Sequence, residues 1–224
     1  MILHFVRPPY SVDNDIAIVG SSGCLKNKSL GKKIDSHKEV VRFNRAPTKG
    51  FETDVGTKTT SRVVNNHVFA NVSIWDGETP KDDMWEHQDK NFVKKLKNQR
   101  ILWMSSGHTY ETLIYENSTM NHSDKSNDIF IVESDGFEKL KLLAGSDSGL
   151  AVGTAFVLLC VINGLKPTLY GFDMNMEDRS RTHYWENRPE ASSAHSIDKE
   201  KTLLKKMLND DMIIDGELQC QISE

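Results

Sequence analysis

The sequence predicts a single α/β domain built on a mostly parallel sheet, and three observations carry that prediction. Short β-branched and apolar runs alternate along the chain with helical or polar connections. The residues that follow several of those runs are small or amide-bearing, as they are where a parallel sheet presents its carboxyl ends to a ligand. The chain has 224 residues, 38% of them hydrophobic, which suits one domain with a substantial core.

The expected strands, in order, are Asp15 to Val19, Glu39 to Phe43, Arg62 to Val64, Ile101 to Met104, Ile129 to Val132, Thr168 to Tyr170 and Met212 to Ile214. Each is a short apolar or β-branched run of strand length. A helix is expected to begin near Ser148 and Gly149, to continue through AVGTAFVLLCVI, and to end at Asn163-Gly164 ahead of Lys166-Pro167. Apolar nearly all round, it belongs against the sheet. A second helix follows His195, where Ser196 or Asp198 can cap it and Leu203, Leu204, Met207 and Leu208 form one stripe. Polar stretches at Asp76 to Lys90, Glu116 to Asp128 and Met174 to Ala194 read as loops.

Composition excludes several classes of function. The formal net charge is -4 and the two signs are interspersed, so no basic face for nucleic acid is expected. Cys24, Cys160 and Cys220 are an odd number at no metal-ligand spacing, and they read as free thiols in a reducing compartment. The N-terminal apolar run is too short for a secretory signal. The longest one, Leu150 to Leu165, is below the roughly 18 residues that span a bilayer. A soluble protein without a membrane anchor is expected.

The strand ends supply the candidate site. Gly20-Ser21-Ser22-Gly23 follows the first strand, Asn44 the second, Asn65-Asn66 the third and Gly171-Phe172-Asp173 the sixth. Singly, each is an ordinary turn residue. Together they leave a nucleotide-binding reading open beside the turn reading. No register of GSSGCLKNKSLGKK supplies the G-x-x-x-x-G-K-[ST] phosphate loop, and G-x-G-x-x-G is missing, so kinase and dehydrogenase readings lose their main support.

His183 with Glu186 and His195 with Glu200 match no strong metal spacing. Spacing alone favours a solvated surface. A helix N-terminus, however, disfavours the imidazolium and keeps a neighbouring histidine neutral and basic, which is what a general base requires of His195.

The order of motifs resembles glycosyltransferase family 29, the eukaryotic-type sialyltransferases. Ile16 to Thr60 carries the G-x-x-I-D-S-H, R-F-N-x-A-P-T, G-F-x-x-D-V-G and T-K-T-T elements of the large sialylmotif. SDSGLAVGTAFVLLCVINGLKPTLYGFD resembles the small motif, His183-Tyr184-Trp185-Glu186 motif III, and His195 with Glu200 the very small motif. The resemblance implies a GT-A-like variant of the Rossmann-type sandwich that moves sialic acid from CMP-sialic acid to a glycan acceptor. It further implies inversion at the anomeric centre, with no cofactor and no divalent metal.

Carried over residue by residue, the resemblance makes His195 the base that deprotonates the acceptor hydroxyl and His183 the donor to the departing phosphate. Ser21, Asn44 and Asn65 would contact donor or acceptor. Ser148, Gly149, Gly171 and Phe172 would line the cytidine site. Two departures stand out: Cys24 fills a polar position usually held by Asn or Ser, and Ile16 stands where the family has a cysteine bonded to the counterpart of Cys160. The missing disulfide strengthens the expectation of a cytoplasmic or otherwise reducing compartment. Transfer of another CMP-activated 2-keto sugar acid such as Kdo, or a non-catalytic CMP-sugar or glycan-binding module, is the alternative. The large motif is closer to α2,6-type members and the HYWE segment to α2,3-type members.

Overall fold

The computed structural model describes residues 2–4, 7–13, 15–70, 92–105, 127–146, 149–173, 183–185 and 197–217. Its strands are β1 (Ile2–His4), β2 (Ile16–Val19), β3 (Glu39–Phe43), β4 (Ser61–Val64), β5 (Arg100–Met104), β6 (Asp128–Val132), β7 (Thr168–Tyr170) and β8 (Ile214–Asp215). They form one sheet in the order β1-β6-β5-β4-β3-β2-β7-β8, and every pairing is parallel. The helices are α1 (Gly31–Ser36), α2 (Glu52–Val55), α3 (Asn66–Ala70), α4 (Phe92–Lys95), α5 (Ser134–Leu143), α6 (Val152–Ile162) and α7 (Ile197–Asn209).

Alternating side chains of each strand go to opposite faces, and both faces are covered. Ile16 and Ile18 of β2 join Val41, Phe43, Val63 and Leu102 in a cluster with Phe156 and Leu159 of α6 and Leu204 and Met207 of α7. Ala17 and Val19 point the other way, to Leu25, Leu30, Ile34 and Val55. Further along that second face, Val64, Ile101 and Trp103 pack on Val68, Phe69 and Val93 of α3 and α4. The result is a three-layer α/β/α sandwich, the fold class expected from the alternation of elements.

Several boundaries differ from the sequence-based expectation. Strand β1 was not expected and pairs with β6 at the sheet's edge. The last strand is Ile214–Asp215 rather than Met212 to Ile214, because the Met212 amide donates back to the Met207 carbonyl at 2.8 Å and closes the end of α7. Helix α6 starts at Val152, later than Ser148, and ends as expected at Gly164 (φ +77°), where the Leu165 amide reaches the Cys160 carbonyl at 3.0 Å. Asp128, assigned to a loop, begins β6. The rest of the Asp76 to Lys90, Glu116 to Asp128 and Met174 to Ala194 stretches lies outside the described residues, apart from Asn127 and residues 183–185. Among the described residues no helix is long and apolar enough to cross a membrane.

Strand order positions the site. From β2 the chain winds outward through β3, β4, β5 and β6, then returns to add β7 on the opposite side of β2. The topological switch point therefore falls between β2 and β7, and their carboxyl ends are where an open parallel sheet offers a ligand crevice.

Candidate functional site

Two backbone contacts define that crevice. The Gly20 amide donates to the Tyr170 carbonyl at 2.7 Å, and the Ser22 amide to the Gly171 carbonyl at 3.2 Å. This approach needs glycine: a Cβ on Gly20 would lie 2.3 Å from the Gly171 oxygen, and Gly171 itself has φ +70°, in the left-handed region. The Gly171 amide donates to Glu217 Oε1 at 2.8 Å. Both polar groups of Gly171 are thus engaged within the protein. It can shape a nucleotide site by its turn and its bare Cα face, but not by hydrogen bonding a ligand through its amide.

Ser22 accepts from the Cys24 amide at 3.2 Å and starts the short 3-10 turn Gly23–Leu25. The Cys24 thiol is buried and lies 3.7 Å from Glu217 Oε1. Burial pushes its pKa up to about 12, and the nearby carboxylate adds to the rise. Phe172 meets Phe43 edge-to-face at 6.2 Å and lies close against Gly153 in the first turn of α6.

Beside this loop, at the ends of β3 and β4, two asparagines are coupled. Asn44 has φ +44°, and its Oδ1 accepts from the Asn65 amide at 3.0 Å. Asn65 Oδ1 in turn accepts from Val68 N at 3.0 Å, in the manner of a helix cap for α3. Each side-chain oxygen is engaged by backbone, so the NH2 is the group each amide can offer to a ligand. Beneath them Arg62 donates from Nη1 to the Asn44 carbonyl at 2.9 Å and holds the turn. Burial, with the neighbouring Arg42 charge second, lowers the Arg62 pKa to about 10.

His183 reaches the crevice through its neighbour. The Tyr184 amide donates to the Ser21 carbonyl at 3.0 Å, and the Tyr184 hydroxyl donates to the Pro47 carbonyl. That residue is 1% exposed, and its ring packs edge-on against Phe51 at 5.2 Å. It pins the loop after β2 to the loop after β3. His183 and Trp185 flank this anchor, their rings stacked at 4.4 Å and within 6° of parallel.

Of the residues expected from the sequence, Ser21, Cys24, Gly171, Phe172 and His183 gather at the switch point, and Asn44 and Asn65 form a linked pair next to it. Gly149 is exposed ahead of α6. Ser148, Glu186 and His195 lie outside the described residues. Glu200 caps α6: Oε1 accepts from the Ala151 amide at 2.9 Å and Oε2 from the Thr154 hydroxyl at 2.5 Å. Sequence reasoning missed Glu217, Arg62 and the anchoring role of Tyr184. Only Tyr184 carried a signal, its place as one of the two aromatic residues of the HYWE segment.

The Asn44–Asn65 pair and the His183–Trp185 segment, held by the Tyr184 amide against the Ser21 carbonyl, thus stand beside the glycine turns that follow β2 and β7, and hydroxyl, amide NH2 and imidazole groups are of the kind that bind an anionic nucleotide and stabilise a leaving phosphate.

The family model of glycosyltransferase family 29 (sialyltransferase) matches residues 14–212. Beta-galactoside alpha-2,6-sialyltransferase 2 of Rattus norvegicus is 56% identical over 57 residues, covering 25% of this chain and 11% of that protein. Beta-galactoside alpha-2,6-sialyltransferase 1 of Mus musculus is 38% identical over 103 residues, covering 38% of this chain and 26% of that protein. The chain thus matches about a tenth to a quarter of the length of these curated relatives. The crystal structure of a mammalian sialyltransferase in complex with Gal-beta-1-3GalNAc-ortho-nitrophenol superposes with a TM-score of 0.64 at 22% identity, covering 89% of this chain and 68% of that one, which shows the shared fold.

The match to this family and to these relatives opposes the cytoplasmic or otherwise reducing compartment expected from Ile16, and that expectation is corrected. The physical reason lies in the core. Ile16 and Cys160 are both buried in one apolar cluster that holds without a cross-link, so a missing disulfide at this position does not fix a compartment.

Proposed function

The chain belongs to glycosyltransferase family 29, the sialyltransferases, and from that premise we propose that it transfers sialic acid from CMP-sialic acid to a hydroxyl of a β-galactoside glycan. The observation that carries the reading is the Tyr184 to Ser21 hydrogen bond, which brings His183 to the loop at the switch point of a family-29 fold. The β-galactoside acceptor and an α2,6 linkage follow the names of the two relatives above.

In this reading the acceptor oxygen attacks the anomeric carbon of the donor, the bond to the CMP phosphate oxygen breaks, and the configuration inverts. His195, two residues ahead of α7, takes the acceptor's proton as general base. His183, together with the NH2 groups of Asn44 and Asn65 and the Ser21 hydroxyl, offsets the charge that develops on the departing phosphate. Because CMP leaves readily once its charge is met, alignment and a single proton abstraction are the main tasks, and no divalent metal is required.

The test is a transfer assay with CMP-sialic acid and, separately, CMP-Kdo against a panel of glycans, with product linkage determined. Sialylation of terminal β-galactosides in α2,6 linkage, undiminished by EDTA, is the expected result. Transfer of Kdo in preference to sialic acid would sink the donor assignment, and activity lost on chelation would sink the metal-free chemistry.

A further inference from the structure

Glu217 lies just past β8, in no motif that carries the family resemblance, yet its carboxylate reaches the crevice. Oε1 accepts from the Gly171 amide at 2.8 Å and lies 3.7 Å from the Cys24 sulfur. The β7–β8 ladder ends one step earlier, where the Gly216 amide donates to the Leu169 carbonyl at 2.9 Å. Gly171 then turns away with φ +70°, and a side-chain oxygen takes over as acceptor for its amide.

The carboxylate is itself held in place. The Glu217 amide donates to Asp215 Oδ1 at 2.9 Å, Lys33 Nζ donates to the Gly216 carbonyl at 2.9 Å, and Gly216 sits so close to the Tyr170 ring that a Cβ would fall 2.4 Å from it. On the far side of Gly171, its carbonyl receives the Ser22 amide, and Ser22 Oγ receives that of Cys24. A charged acceptor thus stands at the head of a series of bonds running through the β7 turn into the loop after β2. Bonds to an ionised acceptor are about twice as strong as neutral ones, so this one sets the position of the turn.

We propose that Glu217 is a positioning residue of the donor site: by holding Gly171 and Cys24 it registers the β7 turn against the Gly20–Gly23 loop, and so fixes the walls between which the donor nucleotide sits. The inference rests on the CMP-donor reading above. Its effect falls on the donor alone, because the bonds it makes are to the two loops of the nucleotide crevice.

Glu217→Ala, Glu217→Gln and the unsubstituted protein are compared by calorimetric titration with CMP, by steady-state kinetics and by urea unfolding. The alanine variant is expected to weaken CMP binding and raise the donor KM by about tenfold, leaving the acceptor KM within about twofold. Glutamine, which keeps an oxygen acceptor, is expected to restore both donor values to within about threefold. Where the alanine variant does not fold, Glu217→Asp, one methylene too short to reach Gly171, is read in the same way. Unchanged CMP affinity in the alanine or aspartate variant overturns the proposal, and so does an equal rise in donor and acceptor KM that glutamine fails to rescue. An unsubstituted protein that does not bind CMP overturns the donor reading together with this one, whereas CMP binding indifferent to residue 217 overturns this one alone.

Discussion

Glu200 Oε2 accepts the Thr154 hydroxyl at 2.5 Å, while Oε1 of the same carboxylate takes the Ala151 amide at 2.9 Å. A side chain of α7 thus engages the start of α6, where the positive end of the helix dipole favours a negative charge. Glu200 is 7% exposed, and removing it takes the acceptor from the buried Thr154 hydroxyl and the part-buried Ala151 amide. Glu200→Ala is expected to cost about 2–4 kcal/mol, read as a lower urea midpoint. Glutamine keeps one oxygen and is expected to fall between. Because α7 begins two residues after His195, transfer is expected to fall with the alanine substitution even below its unfolding temperature. An unshifted midpoint would show that the cap contributes nothing.

Tyr184→Phe isolates the other anchor. The ring, with its packing on Phe51, is retained, and only the hydroxyl that donates to Pro47 is lost. A loss of about 1 kcal/mol in stability is expected. With the loops after β2 and β3 no longer pinned together, the His183 ring loses its fixed place, and single-turnover transfer is expected to slow several-fold while far-ultraviolet dichroism stays unchanged. Wild-type turnover would mean that the amide bond to Ser21 suffices.

How much of this was legible in the sequence depends on the range of the interaction. Glu39–Phe43 and Thr168–Tyr170 are strands at the expected residues, because Val40, Val41 and Thr168 with the aromatic Phe43 and Tyr170 favour strand locally. Ile2–His4 is only three residues long, and its strand character comes from pairing with β6. Helix α5 carries Leu142 and Leu143 exposed beside buried Phe137 and Leu140, which blurs its stripe. The site divides in the same way. Ser21, Asn44 and Gly171 were marked by following a strand, whereas Glu217 acts on Gly171 from 46 residues away, and nothing local announces that bond.

The two histidines are expected to separate by assay. His195→Ala should abolish transfer yet leave CMP binding largely intact, because a general base touches the acceptor proton and not the nucleotide. His183→Ala should weaken both, as a group that meets the phosphate does in ground and transition states alike. Calorimetric CMP titration and single-turnover transfer of each variant check this. Full activity of the His195 variant would remove the base assignment.

Alkaline pH tests the buried thiol beside the crevice. The pKa of Cys24 in the folded protein is raised from 9.0 to about 12, first by burial and then by Glu217. The unfolded chain therefore releases this proton at lower pH than the folded one. The contribution to stability is complete below pH 9, declines as pH rises past it, and is fully lost once pH passes about 12. Tyr184, raised by burial from 10.0 to about 12, adds a loss of the same sign that begins one unit higher. Arg62 opposes both: its folded pKa is lowered from 12.5 to about 10, so its buried charge is relieved above pH 10. Between pH 9 and 10 the thiol dominates. Cys24→Ser carries no titrating group in this range, so its urea midpoint is expected to fall less than that of the unsubstituted protein between pH 8.5 and 10, by about 1 kcal/mol. Parallel pH profiles would show that the thiol is not held protonated by its surroundings.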